Sequence, residues 1–243
     1  MTTATMRMLV SVRDVQEALE AAEGGADFID LKEPREGALG GLPLNTIREV
    51  VCALRAHHLR LPISATIGDL PMEDVAQILT RVADVGSCGV DYVKVGIERE
   101  TGAAAVLDAL ASCGWPVVPV FIADRGLDNE LVTRACNIAG GAGAAFPAIM
   151  VDTAEKQAGS LFELLSPEAL QRFIDAVRGA HAMVGLAGAL RLAHVERLAA
   201  LQPDFVGFRS AVCVGDRASQ LDAGRVRDLS ARLRAAVHHE LHA

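Results

Sequence analysis

The chain uses arginine almost to the exclusion of lysine: 20 arginines stand against three lysines, Lys32, Lys94 and Lys156. A compositional bias toward arginine explains the missing lysines but not the places of the three that remain. Arginine keeps its proton in a protein, whereas a lysine amine gives it up where its surroundings depress its pKa. A neutral amine attacks a carbonyl and forms a Schiff base. The iminium is an electron sink, so an adjacent carbon loses a proton or joins another aldehyde. Asp30 and Lys32 stand two apart in "DFIDLK" and therefore face the same side of a strand. Lys94 lies inside "DYVKVG", where Tyr92, Val93 and Val95 imply burial. Apolar walls and nearby cations lower the pKa of such an amine, and carboxylates raise it. Asp152 ends the apolar run "AIMVD", and Lys156 follows in "DTAEKQAGS". Carboxylates at Asp30 and Asp152 can shuttle protons or orient amines.

These groups are far apart in the chain and need a scaffold that gathers them. Eight short apolar segments recur: "RMLVSV" (7–12), "DFIDLK" (27–32), "LPISAT" (61–66), "DYVKVG" (91–96), "PVVPVFIAD" (116–124), "AIMVD" (148–152), "HAMVGLAG" (181–188) and "DFVGFRS" (204–210). Helical patterns separate them. "SVRDVQEALEAAEGG" places Val15, Leu19 and Ala22 on one face and ends at Gly24-Gly25, a plausible C-cap. "PMEDVAQILTRVADVG" predicts a helix opening at Pro71, and "SPEALQRFIDAVRG" one capped by Ser166 with Pro167 in its first turn. Strands alternating with helices indicate parallel βαβ units. Eight units over residues 1–243, with no linker, predict a single-domain α/β fold, the (β/α)8 or TIM barrel.

Sites of such barrels lie at the carboxyl ends of the strands. Read in order, those ends offer Asp30 and Lys32, then Thr66 followed by Asp69, then Lys94, Asp124 and Asp152, with Lys156 beyond. The seventh ends in "LAGAL" with Gly188, and the eighth in Arg209 and Ser210, followed by Asp216 and Arg217. All three lysines fall on this rim. The segments after strands seven and eight are the usual phosphate-binding places. Gly188, Arg209 and Ser210 are therefore candidate phosphate ligands, and Thr66, Asp69 and Asp124 candidate substrate contacts. Each has a bland alternative: Lys32 paired with Asp30 or Glu33, Asp69 as a helix cap, Gly185 and Gly188 as packing glycines, Lys156 in an ordinary polar loop.

Composition narrows the classes. The net charge of −8 argues against nucleic acid, whose binding surfaces are basic, but not against a small anion held by a local field. No stretch reads as a membrane span and no signal core is visible, so a cytoplasmic protein is expected. The five cysteines form no CxxC and read as reduced thiols. The histidines are scattered, and no metal is expected. Glycines such as Gly24, Gly25, Gly140, Gly141 and Gly143 precede strands, the wrong side for a nucleotide fingerprint. The sequence leaves a homo-oligomer open.

The segments "GGADFIDLKEPREGALG", "SATIGD", "DYVKVG", "VDTAEKQAGSLF", "LAGAL" and "VGFRSAVCVGDR" resemble, in order and over nearly the whole chain, the (5-formylfuran-3-yl)methyl phosphate synthase family. The pairing of D-x-K-x-P-x-x-G-x-L-G with A-T-x-G-D is the specific part. The resemblance implies a (β/α)8 barrel that joins two triose phosphates derived from glyceraldehyde 3-phosphate. Phosphate and water leave as a furan closes, with no organic cofactor and no metal. It further implies Lys32 as the Schiff-base lysine, Lys94 as a proton-transfer lysine, and Asp30, Asp152 and Lys156 as the other catalytic residues. The alanine- and arginine-rich background resembles a bacterial member, whose product would serve a methanofuran-like cofactor for formaldehyde oxidation. The loop "TAEKQAGS" departs in detail from the archaeal pattern but keeps the spacing of Asp152 and Lys156. Two other readings of the same rim stay open: a class I aldolase or isomerase acting on triose phosphates, and a non-catalytic phosphometabolite-binding barrel.

Overall fold

A computed structural model describes residues 6–37, 39–57, 59–141, 145–155 and 159–240. The eight apolar segments form strands β1 (Arg7–Val12), β2 (Phe28–Leu31), β3 (Ile63–Thr66), β4 (Tyr92–Ile97), β5 (Val117–Ile122), β6 (Ala148–Asp152), β7 (Met183–Leu186) and β8 (Phe205–Phe208). Each pairs in parallel with the next, and β8 returns to β1 to close the barrel. Around it run α1 (Val15–Glu23), α2 (Leu44–Ala56), α3 (Val75–Gly86), α4 (Ala103–Ala111), α5 (Asn129–Ala139), α6 (Leu161–Leu164), α7 (Pro167–Gly179), α8 (Val195–Leu201) and α9 (Ala223–Glu240). No helix among the described residues is long and apolar enough to cross a membrane.

The two-residue period of the strands sorts their side chains into two cores. Val10, Val12, Ile29, Leu31, Val93, Val95 and Val151 point outward into the shell between strands and helices. Leu9, Phe28, Val118, Val120, Met150 and Phe205 point inward and fill the barrel. The inward positions turn polar toward the carboxyl ends. Ser11 follows Leu9, Asp30 follows Phe28, and Asp152 follows Met150 at the same parity. Their register brings Ser11 beside Asp30, Asp30 beside Ser64, and Thr66 beside Lys94.

An apolar floor lines the lower half of the barrel. The Phe28 and Phe205 rings lie 5.3 Å apart, and the Arg7 guanidinium covers Phe28 at 4.8 Å. Phe205 fits only because residue 185 is glycine: a Cβ there would collide with the Phe205 ring and with Met150. The polar residues lie on the carboxyl side of this layer, and a second cavity of about 300 Å³ among its apolar side chains also reaches Ser64 and Lys94.

Element ends differ from the sequence expectation in ways that matter for the rim. The helix expected to open at Pro71 starts at Val75, because Asp74 closes a turn on Pro71 O (3.1 Å) and then caps α3 through Gln77 N (3.0 Å). The fifth strand stops at Ile122, and Ala123–Arg125 form a 3-10 turn that lifts Asp124 off the ladder. Elsewhere the expected caps hold. Gly24 ends α1, and Ser166 accepts from Ala169 N ahead of Pro167.

Candidate active site

Above the floor opens a pocket of about 440 Å³, counting space continuous with solvent. Ser11, Asp30, Lys32, Lys94, Asp152, Gly188, Ser210 and Arg217 are part of its wall. Asp30 is fully buried. It accepts from Ser64 Oγ (2.6 Å), Lys94 Nζ (3.0 Å) and Ser11 Oγ (3.1 Å). Burial by itself pushes this carboxyl up. The charges of Lys94 and Lys32, with the bonds from Ser64 and Lys94, overcome that and hold it below the usual carboxylate range. Lys94 is 2 % exposed. Burial pulls its amine below the ordinary lysine value, the charge of Lys32 adds to the effect, and Asp30 and Asp152 offset only part of it.

Lys32 lies one residue past β2 but keeps the ladder, its N–H donating to Val12 O (3.1 Å). Its side chain is therefore still inward, and Nζ stands 3.4 Å from Asp152 Oδ2. The other Asp152 oxygen accepts from Thr153 N at 2.7 Å. Two buried amine–carboxylate pairs thus share one pocket. Their geometry suits repeated proton transfer: an amine close to a carboxylate can receive a proton and hand it on without solvent. Lys156 lies outside the described residues.

The other candidates divide. Gly188 and Ser210 line the pocket. Gly188 has φ +116, and a Cβ there would press on the Thr153 side chain behind Asp152. Thr66, Asp69 and Asp124 are not in the wall. Thr66 is fully buried and donates to Gly40 O at 2.8 Å. Asp69 caps no helix and instead accepts from Leu39 N at 3.2 Å. Both secure the turn after Lys32. Asp124 accepts from Ala154 N (2.6 Å) and Glu155 N (2.8 Å), which fixes the chain just past Asp152. These three side chains shape the rim from behind.

Arg209 is the clearest departure from expectation. It lines the pocket, yet all its donors are occupied. Nε bonds Arg217 O (2.8 Å), Nη1 bonds Ser11 O (3.0 Å) and Glu17 Oε2 (2.6 Å), and Nη2 bonds Glu17 Oε1 (3.0 Å) and Ser219 O (2.8 Å). A guanidinium has five N–H donors, so none remains for a phosphate. Sequence reasoning passed over Glu17, Ser11 and Ser64. Ser11 and Ser64 share the inward parity of their strands, which could have marked them. Glu17 is four residues from Arg13, a spacing that reads as an ordinary surface helix pair.

A closed parallel barrel with lysine–carboxylate pairs at its carboxyl rim places the chain in the (β/α)8 class, with a site whose groups are of the kind that amine and acid–base chemistry uses. Comparison with known proteins narrows this further. The family model described as 4-HFC-P synthase matches residues 8–230. The chain is 34% identical to the (5-formylfuran-3-yl)methyl phosphate synthase of Archaeoglobus fulgidus, over 96% of this chain and 100% of that one. It is 32% identical to the enzyme of the same name from Methanosarcina mazei, over 95% and 100%. A Methylorubrum extorquens protein given that name provisionally is 35% identical over 94% of this chain and 92% of its own. The chain belongs to the (5-formylfuran-3-yl)methyl phosphate synthase family. Among solved structures, phosphoribosyl anthranilate isomerase from Thermus thermophilus superposes with a TM-score of 0.63 at 18% identity, over 95% of this chain and 99% of that one. That likeness shows the fold.

Proposed function

We propose that this chain makes (5-formylfuran-3-yl)methyl phosphate from two triose phosphates through an iminium on Lys32. The product's name sets the atom balance. Two C3H7O6P units, less one phosphoric acid and two waters, leave C6H7O6P, the furan bearing one formyl and one phosphomethyl group. No oxidant or reductant is required, so amine and acid–base groups suffice.

The Lys32 amine adds to a triose phosphate carbonyl. The carbinolamine loses water, with Asp152 at 3.4 Å moving the proton. The iminium acidifies the adjacent C–H, and its enamine attacks the aldehyde of the second triose phosphate to form the carbon–carbon bond. Loss of phosphate and water follows, each a proton transfer next to an electron sink. The Lys94–Asp30 pair serves these later steps. Asp30 is held as an anion by its charged and hydroxyl partners, while burial lowers the cost of removing the Lys94 proton. In ring closure a substrate hydroxyl adds to the iminium carbon and the Lys32 amine leaves, and the product is an aromatic furan, which makes the sequence hard to reverse. Such a product suits a precursor of a methanofuran-type cofactor.

The observation that carries this reading is the sharing of one pocket by two buried lysine–carboxylate pairs. The purified protein incubated with glyceraldehyde 3-phosphate alone should accumulate a furan aldehyde with release of inorganic phosphate. A reversible sugar phosphate in its place would make it an aldolase, and binding without turnover would end the catalytic reading.

A further inference from the structure

We infer that Arg217 is the side chain that grips the phosphate of the substrate, and that the Glu17–Arg13–Arg209 cluster exists to hold it in place. The inference deepens the proposed function and rests on its claim that the substrate carries a phosphate.

A buried carboxylate outside the pocket wall anchors the cluster. Glu17 is 2 % exposed. It accepts from Arg13 Nε (3.3 Å), Arg13 Nη2 (2.9 Å), Arg209 Nη1 (2.6 Å) and Arg209 Nη2 (3.0 Å), and from the backbone N–H of Arg13 and Leu221. So anchored, the two guanidiniums turn three further donors to one short segment, while Arg209 Nη1 also bonds Ser11 O. Arg209 Nε bonds Arg217 O, Arg13 Nη1 bonds Ala218 O, and Arg209 Nη2 bonds Ser219 O, each at 2.8 Å. Three consecutive carbonyls are thereby pinned. Asp216 pins the same turn from inside by accepting from Ala218 N (2.9 Å) and Ser219 Oγ (3.0 Å). A loop on a barrel rim rarely needs such restraint unless it presents something.

What it presents is Arg217. Its side chain lines the catalytic pocket with Lys32, Asp152, Gly188 and Ser210. It forms no ion pair among the described residues; its Nη2 donates to Gly37 O at 3.0 Å. Most of its fork is therefore available, unlike that of Arg209. In the lining of the same pocket, the backbone N–H groups of Ala189 and Leu190 have no protein acceptor among the described residues. A planar guanidinium and backbone donors lining one pocket match the oxygens of a phosphate. Lys32 and Lys94 are already paired with carboxylates and are needed as amines. The division of labour is thus one arginine for the phosphate and two lysines for the carbonyl chemistry.

The test is calorimetric titration of inorganic phosphate into the wild-type chain, Arg217→Ala and Arg217→Lys, with thermal unfolding as a check on folding. Wild type should bind. Arg217→Ala should bind about 10- to 100-fold more weakly, the loss expected when a charge-assisted bond is removed, and Arg217→Lys should recover part of it. Borohydride trapping of dihydroxyacetone, which has no phosphate, should be equal in wild type and Arg217→Ala. Unchanged phosphate affinity in folded Arg217→Ala, absence of phosphate binding in wild type, or an equal loss of the dihydroxyacetone adduct would each overturn the assignment. The titration needs no turnover. If phosphate binding falls as expected while wild type makes no furan, Arg217 stands and the proposed reaction falls.

Discussion

Replacing Glu17 by glutamine removes one charge without changing shape, at a side chain that is not part of the pocket wall. The consequence can be sized from the geometry. Arg209 is 7 % exposed and has no other carboxylate among its bonding partners. Removing one partner of a buried ion pair leaves the other charge uncompensated and costs about 3–5 kcal/mol. A domain of this length loses about 2–4 °C of melting temperature per kcal/mol. Glu17→Gln should therefore melt roughly 6–20 °C below wild type at pH 7. The sign of the pH dependence follows from the carboxyl. Burial raises its pKa, the bonds from Arg209 and Arg13 outweigh that, and it sits below the ordinary value in the fold. A depressed carboxylate stabilises the fold above its unfolded pKa, and that stability is lost as pH falls through the folded one. The gap between wild type and Glu17→Gln should hence close in acid, below about pH 4. Paired melts from pH 7 to pH 3, followed by circular dichroism, read both effects. A drop of less than about 2 °C at pH 7 would refute the claim that this carboxylate carries the cluster.

Two further outcomes follow from the pocket. Lys94→Met should cut furan formation by about 10²- to 10⁴-fold, the range for loss of one acid–base group, while leaving borohydride trapping at Lys32 in place; equal loss of both would merge the two lysine roles. Ser64→Ala removes the 2.6 Å donor to Asp30, so the Asp30 carboxyl should rise toward the usual range and the acid limb of the kcat/KM–pH profile should move to higher pH; an unmoved limb would exclude Asp30 as the group that sets it.

Much of the scaffold was legible because parallel strands buried on both faces leave continuous apolar runs. The two-residue period put Asp30 and Lys32 on one side of their strand, and the polar ends of the apolar runs marked Lys94 and Asp152 as rim residues. The parts that were not legible depend on partners distant in the chain. Arg209 looked like a phosphate ligand because nothing local announces Glu17, 192 residues earlier. Asp69 and Asp124 looked like caps or substrate contacts because a carboxylate beside a turn has several local uses. Their actual acceptor roles join neighbouring βα segments, Asp69 to Leu39 and Asp124 to Ala154 and Glu155. Pro71 resembled a helix start, but Asp74 offered the better cap three residues later. Residues that face a shared axis were readable by parity. Residues whose role is to hold another loop were not.

The proposed reaction requires that one particular amine, that of Lys32, bonds to substrate carbon. It is tested most directly by borohydride reduction in the presence of glyceraldehyde 3-phosphate, then peptide mass mapping of wild type and Lys32→Arg. The reduced adduct should appear on the peptide bearing Lys32 and vanish in Lys32→Arg at unchanged melting temperature. An adduct on Lys94 or Lys156, or full labelling of Lys32→Arg, would contradict the account.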